Sequence, residues 1–269
     1  MKKRGLIVSD MHCGHLCGLT PPAYQIKTRK GGSTKRNKWA KLQAELWTEY
    51  VGLLDRFGPF SFCLSGGDSI DGGGSRSGGT ESVTIDRDEQ ADIAADCYNQ
   101  IRLHAKRGFE IVGVYGTPYH VGSDGEDWEN IVSERAGFSK IGSHEWVGVN
   151  GCVFDLKHKV GGSAIPHGRH TAIARDRMWN LLWAEKGLTP KAHVILRGHV
   201  HYHNYCGGPG WVAMTLPALQ GKGSKYGARQ CSGLVDWGVV IFDVDDDGSF
   251  DWHAETVTIR AQCARIVSL

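Results

Sequence analysis

Apolar and polar positions along the chain switch between two periods, and each switch marks an element. A short apolar run at residues 5–9 predicts a first strand. From residue 39 to 57, Trp39, Leu42, Leu46, Tyr50, Leu53 and Phe57 recur at spacings of three and four, which is one face of a helix, and Gly58-Pro59 stops it. Residues 60–65 read as a second strand. A glycine-rich loop from Gly66-Gly67 to Gly78-Gly79 then leads to a helix over 86–107, with Ile93, Cys97, Ile101 and Ala105 as its buried stripe and Gly108 as its C-cap. A third strand is expected at 109–115 and a shorter helix at 126–136, ended by Gly137. Asn150-Gly151 is a hairpin signal joining strands at 144–149 and 152–159. A helix over 169–185 and a strand at 193–197 follow. The last part is mostly β, with strands at 211–216, 235–244 and 250–259 and a turn at Asp246-Asp247-Gly248.

Strands alternating with helices are the mark of a layered α/β domain, and 269 residues suit one such domain spanning residues 1–269. Hydrophobic residues at 41% and charged residues at 22% are ordinary for a globular chain and argue against disorder. No run approaches the ~18 apolar residues of a membrane helix, so no membrane partner is expected. The apolar run after Met1-Lys2-Lys3-Arg4 is also too short for a signal peptide. Cys13, Cys17, Cys63, Cys97, Cys152, Cys206, Cys231 and Cys263 are scattered, several within apolar patterns, which fits a reducing cytoplasm without disulfides. The net charge of +2 shows no general coat of positive charge. Nothing in the pattern sets the oligomeric state.

The chemistry lies in five short blocks placed after strands: Asp10-Met11-His12, Gly67-Asp68, Gly116-Thr117-Pro118-Tyr119-His120, His158, and Gly198-His199-Val200-His201. Loops at the C-terminal ends of neighbouring strands meet at one edge, about 4.8 Å apart from strand to strand, so distant positions can share a site. Carboxylate and imidazole ligands without thiolate suit manganese, iron, zinc or nickel better than calcium. Asp68 has two oxygens and can bridge two cations. Any single D-x-H or G-x-H pair is common, so the weight rests on the ordered set.

These blocks resemble the signature of the calcineurin-like metallophosphoesterases: D-x-H, G-D, G-N-H, a lone His and G-H-x-H. Four of the five fit, covering Asp10 through His201. The resemblance implies a layered β-sandwich flanked by α-helices and two divalent metal ions, manganese favoured. It implies Asp10, His12, Asp68 and His201 on the first ion, Asp68, His158 and His199 on the second, and His120 as the catalytic residue. The third block departs from the family, because Thr117 stands where Asn is expected and would ligate weakly through its hydroxyl or leave its place to water. Two cations roughly 3.5–4 Å apart would lower the pKa of a bridging water, and the resulting hydroxide would attack a phosphate ester. His120 would protonate the leaving oxygen or steady the transition state.

Between Lys27 and Lys41, seven basic residues (Lys27, Arg29, Lys30, Lys35, Arg36, Lys38, Lys41) occur with no acidic one. This segment leaves the loop carrying Asp10 and His12. Lys30, Lys35, Arg36 and Lys38, with His167, Arg169 and His170 after His158, are therefore candidate substrate contacts, although such a segment can equally be a solvated loop. The leading expectation is a phosphodiesterase acting on DNA or RNA, partly similar to the family's repair nucleases. The alternatives are a small-molecule phosphatase or cyclic-nucleotide phosphodiesterase, and a non-catalytic scaffold that keeps the metal pocket. Cys13 and Cys17 with their neighbouring histidines lack the second pair a zinc knuckle needs. The aspartates at 243–247 lack the closing glutamate of a calcium loop. His104, His144, His193 and His253 are expected to be ordinary packed or surface residues, while His15 and His203 remain undecided neighbours of the site.

Overall fold

The computed structural model describes the chain except for residues 29, 32, 75–76, 123–126, 224–233, 265 and 268–269. Arg29 of the basic segment, Glu126 at the expected helix start and Cys231 lie outside the described residues.

Two sheets form the centre. In the first, β1 (Lys3–Val8), β2 (Phe60–Ser65), β3 (Ala105–Val114) and β4 (Lys140–Gly142) run parallel. β10 (Gly238–Val244) pairs antiparallel with β1, and β11 (Phe250–Thr256) closes that edge. The second sheet has the order β5 (Glu145–Val149), β6 (Cys152–Lys157), β7 (Val194–Arg197), β9 (Trp211–Thr215), β8 (Asn204–Gly208), with β6, β7 and β9 parallel. Helices α1 (Thr34–Phe57), α2 (Arg87–Arg102) and α4 (Trp128–Ala136) pack on the first sheet, the one-turn α3 (Pro118–Val121) follows β3, and α5 (Thr171–Glu185) contacts the second sheet.

The alternation of side chains along each strand explains the layering. In β1, Leu6 and Val8 join Leu42, Leu46, Tyr50, Ile93 and Ile101 in the helix-facing core, whereas Ile7 points into the core between the sheets. β10 divides in the same way, Val239 and Ile241 to the helices, Val240 and Phe242 inward. From the second sheet Phe154, Leu156, Val194, Leu196, Val212 and Met214 complete the inner layer, while Ile195 and Ala213 turn toward α5. Both faces of the central strands are buried, which is why they read as continuous apolar runs. The layered α/β class implied by the sequence is the class observed.

Several boundaries differ from expectation. α1 begins five residues early, at Thr34, because Ser33 caps it by accepting from the Arg36 amide at 3.2 Å. The helix expected over 86–107 stops at Arg102. Ala105 pairs with Phe60 in β3 instead of lining a helix, and Gly108, at φ 80°, lies inside the strand beside a shift in register. Pairing with the end of β2 satisfies the backbone there and overrides the helical period. β4 and α3, of three and four residues, carry too few positions for a periodic signal, and β8 lacks an apolar run and ends in Gly207-Gly208, so the pattern foreshadows none of them. The Asn150-Gly151 hairpin is present with both residues at positive φ (49° and 90°), the geometry of a type I′ turn.

Asp243, Asp245 and Asp247 serve Arg4, Lys2 and the Ser249 turn respectively. Cys13, Cys17, Cys63, Cys97, Cys152, Cys206 and Cys263 are free thiols. Among the described residues no helix is long and apolar enough to cross a membrane.

Phe62, Phe154 and Phe242 meet at the centre of the inner layer, with ring centroids 5.9 and 5.1 Å from Phe154. Phe154→Ala is expected to lower the unfolding free energy by about 3–5 kcal/mol in a urea titration. A loss below about 1 kcal/mol would show that the two sheets do not depend on this contact.

Candidate metal centre

Each ligand-bearing block follows a strand of the parallel portion of its sheet. Asp10 and His12 come after β1, Asp68 after β2, Thr117 and His120 after β3, His158 after β6, and His199 and His201 after β7. The loops are stitched together by backbone hydrogen bonds: Asp10 N to Gly67 O at 2.9 Å, His12 N to Asp68 O at 3.0 Å, and Gly66 N to Val8 O at 2.8 Å. His158 Nδ1 lies 2.6 Å from Gly66 O, and the His199 amide reaches Asp10 Oδ2 at 3.1 Å, so the edges of the two sheets converge.

Among the described residues three groups of close-set carboxylates and imidazoles form; one joins His12 to Asp71 and His120, and the other two, which hold the sequence-predicted ligands, are the triads considered below. Asp10, His12 and His201 bring ligand atoms together in one, and Asp68, His158 and His199 in the other. Asp68 Oδ2 stands 3.0 Å from His158 Nε2 and 3.9 Å from His12 Nε2, so this carboxylate faces both groups. Within the first triad, His201 Nε2 is 3.1 Å from Asp10 Oδ1 and 3.2 Å from His12 Nε2. The structure thus gathers Asp10, His12, Asp68, His158, His199 and His201. Thr117 is close by, its amide and hydroxyl donating to the Asp68 carboxylate at 2.7 and 3.2 Å.

Backbone conformation singles out the same residues. The described non-glycine residues at positive φ are Asp10 (54°), His12 (46°), Asp68 (54°), Asn150 (49°), His199 (74°) and His201 (54°). All but the hairpin Asn150 belong to the triads. Left-handed backbone at a residue with a Cβ costs on the order of 1–3 kcal/mol, and such strain gathers where side chains must be aimed. Two glycines allow the crowding. A Cβ on Gly116 would overlap Asp68 Oδ1, and one on Gly198 would meet Ser9 Oγ and Asp10 Oδ2.

No family model and no curated protein sequence matches the chain. Among solved structures, the chain is similar to the zinc-complexed Vps29 of Entamoeba histolytica, with 14% identity, TM-score 0.44, and 94% of this chain and 98% of that chain covered. An archaeal phosphodiesterase matches with 11% identity and TM-score 0.44, covering 94% of this chain and 99% of the other. Vps29 of Chaetomium thermophilum matches with 12% identity and TM-score 0.43, covering 95% of each. At TM-scores this low the likenesses carry no functional inference, which must come from the site itself.

Six buried or half-buried carboxylate and imidazole groups crowd together, and each shifts the proton affinity of its neighbours. Burial raises the cost of ionising Asp10, yet the charges and hydrogen bonds of His201 and His12 hold it well below the usual carboxylate range. Asp68 is likewise held down to about 2 by His158 and His12 against its burial. Burial alone would lower both His12 and His158. The surrounding carboxylates instead push His12 up to about 10 and His158 to about 9. His158 Nε2 stands at ion-pair distance from Asp68 Oδ2 but is misaligned for a hydrogen bond, leaving this buried nitrogen without a hydrogen-bond partner. With Nδ1 donating to Gly66 O, Nε2 is oriented as a ligand, the arrangement expected of a metal-binding histidine. Oxygen and imidazole donors without sulfur fit divalent manganese, iron, zinc or nickel.

Supporting residues escaped the sequence reading. Asp71 faces His12 Nδ1 at 3.3 Å, and its carbonyl accepts from His120 Nδ1 at 2.8 Å. Gln90 clamps the loop by accepting from the Gly72 amide at 2.7 Å and donating to the Gly72 carbonyl at 2.9 Å. Glu129 of α4 accepts from the amides of Ser69, at 2.8 Å, and Gly116, joining the Asp68 and Thr117 loops. Burial and the nearby Asp68 push it up to about 7. Only Asp71, three residues beyond Asp68, left a usable trace in the sequence. His120 sits at the mouth of the site with its ring 4.5 Å from that of His12, edge on. Burial and the His12 charge lower it to about 4, so it is neutral at pH 7.

The remaining candidates spread out. His167 and His170 are exposed beside the start of α5, and Lys30, Lys35, Arg36 and Lys38 are exposed around the start of α1. None of these six has a described contact with the triads. Arg169 differs: its guanidinium lies 4.2 Å from the ring of Tyr202, the residue after His201. His15 is buried against Cys17, with 3.0 Å between its Nδ1 and the thiol sulfur, and His203 Nδ1 bonds Thr215 O at 3.0 Å. Neither joins a triad. His104, His144, His193 and His253 pair with Asp55, Asp155, the Val153 amide and the Phe57 ring.

Because His12 and His158 hold protons near neutrality in the ion-free protein, cation binding must displace them. Manganese affinity is therefore expected to strengthen as pH rises from 7 toward 9, with one to two protons released per site pair. Calorimetry in buffers of different ionisation enthalpy measures that release. A pH-independent affinity without proton release would remove these two imidazoles from the ligand set.

Proposed function

We propose that this chain is a metal-dependent phosphoesterase that hydrolyses phosphodiester bonds, with DNA or RNA as the substrate. The observation that carries the reading is the pair of neighbouring triads with the Asp68 carboxylate between them, Oδ2 3.0 Å from His158 and 3.9 Å from His12, each triad offering carboxylate and imidazole donors from separate loops. Two divalent cations, when bound there, supply an activated water near neutral pH and neutralise charge on the phosphate oxygens.

The chain's own residues supply orientation and proton handling. Asp10 is aimed by Ser9 Oγ, which donates at 2.5 Å, and by the His199 amide, so its carboxylate is held before any cation arrives. Thr117 and Glu129 do the same for the Asp68 loop. Thr117 then acts chiefly by orienting Asp68, with its hydroxyl oxygen a weak donor to the second ion at most. His120 has Nδ1 engaged by Asp71 O, which leaves Nε2 as the atom that meets water or substrate. In its neutral state Nε2 accepts a proton, so delivery to a leaving oxygen follows only after that acceptance.

A substrate contact is best supported at Arg169. It is stacked on Tyr202 next to the ligand His201, and its Nε is buried without a hydrogen-bond partner among the described residues. A guanidinium so placed suits a phosphate oxygen. The preference for nucleic acid rests on the exposed basic segment, where Lys30, Lys35, Arg36 and Lys38 carry charge that a polyanion would engage.

Asp68→Asn is expected to reduce manganese uptake at both positions and to abolish turnover, as read by metal analysis beside a rate assay. His120→Ala should keep the metal and slow hydrolysis by about 10²–10⁴. Full activity in the Asp68→Asn protein would refute the shared-carboxylate site. Linear DNA, RNA, cyclic nucleotides and an aryl phosphodiester, assayed under matched manganese, decide the substrate class. Cleavage of the small esters alone would transfer the assignment to a small-molecule phosphodiesterase, and full metal occupancy without any turnover would leave a metal-binding scaffold.

A further inference from the structure

Helix α5 turns most of its large apolar side chains outward. Its buried positions are Ile173, Arg177 and Asn180, and its outward positions include Met178, Trp179, Leu182 and Trp183 at 60, 54, 52 and 47% exposure. The two inward polar side chains are engaged. Arg177 donates to Ala192 O and lies 5.0 Å from the Trp211 ring, while Asn180 bonds Pro190 O and the Ala192 amide, each at 3.0 Å. Ile173 and these polar clasps thus hold the helix to its sheet, and the other large apolar side chains face outward. The helix end extends the patch. Gly187, at φ 69°, and the bonds from Gly187 N to Ala184 O and from Leu188 N to Trp183 O form a Schellman turn, which sets Leu188, 61% exposed, beside Trp183.

An exposed surface helix ordinarily shows the opposite arrangement, and two neighbouring exposed tryptophans mark an association surface. We propose that this face of α5 is the interface of a symmetric homodimer, with α5 packed antiparallel on the α5 of a second copy. Area supports a second copy as the occupant. The five side chains leave roughly 500 Å² of apolar surface per chain, so a two-fold contact buries about 1,000 Å², the lower bound for a specific pair. An antiparallel two-fold sets the flat indoles of Trp179 and Trp183 against the flexible Met178 and Leu182 of the other copy, and opposes the two helix dipoles. The rim offers both signs, Arg175 toward one end and Glu185 and Lys186 at the other. With a net charge of only +2, two copies repel weakly.

Sedimentation velocity on the full chain between about 1 and 200 µM tests this, since an interface of this size gives a dissociation constant in the micromolar range. The expected result is a shift from 29.5 kDa toward twice that mass with rising concentration. Trp179→Glu combined with Leu182→Glu should weaken dimerisation by at least about 100-fold while manganese uptake and far-UV circular dichroism stay unchanged. Leu182→Gln alone, a milder change at an exposed position, should weaken it by about tenfold and serves if the double variant misfolds. A wild-type chain that stays monomeric to about 200 µM overturns the proposal, as does a dimer of undiminished strength in a folded variant. So would a mass exceeding that of a dimer.

Discussion

Everything at the site depends on one electrostatic constraint: carboxylates and imidazoles are packed so closely, and so far from water, that positive charge has to lie among them. The neighbouring carboxylates hold His12 and His158 far above the ordinary histidine range. A divalent cation would satisfy the same requirement, and His158 Nε2, buried without a hydrogen-bond partner, is placed to meet it. The crowding is therefore better understood as a preorganised receptor than as a chance accumulation of polar groups in a core, where each unpaired charge would cost several kcal/mol.

Holding that receptor open costs backbone energy, and the fold distributes the cost. Asp10, His12, Asp68, His199 and His201 all sit in left-handed backbone directly after buried parallel strands. The strands are anchored on both faces by the inner and outer cores, so the turns at their ends cannot relax without disturbing the sheets. Residues outside the triads lock the turns together. Glu129 links the loops after β2 and β3, Gln90 and Asp71 fix the segment beyond Asp68, and the His158 ring ties the second sheet to the first through Gly66 O. The two sheets thus meet at the site as well as in the hydrophobic layer between them.

α5 stands apart from this logic. Beside Ile173, this helix uses Arg177 and Asn180 as inward anchors and leaves its indoles about half exposed. Those outward indoles become intelligible as part of a larger assembly. The proposed interface and the proposed chemistry draw on different residues, so neither depends on the other.

The sequence by itself determined the central strands, the main helices and which carboxylates and imidazoles gather. Those signals are local: continuous apolar runs, three-and-four spacing, and D-x-H, G-D and G-H-x-H pairs directly after strands. It did not reveal where α2 ends, because pairing of Ala105 with Phe60 is a contact across 45 residues that no local period encodes. Nor did it reveal Glu129 or Gln90, which act through backbone amides of distant loops, or the orienting hydrogen bonds of Thr117 to Asp68. The basic segment was legible as charge but not as position, and its lysines stay exposed with no described contact to the triads. Tertiary structure alone decided which atoms face one another, since ligand geometry and proton affinity are set by distances between loops, and those distances exist only once the two sheets have packed.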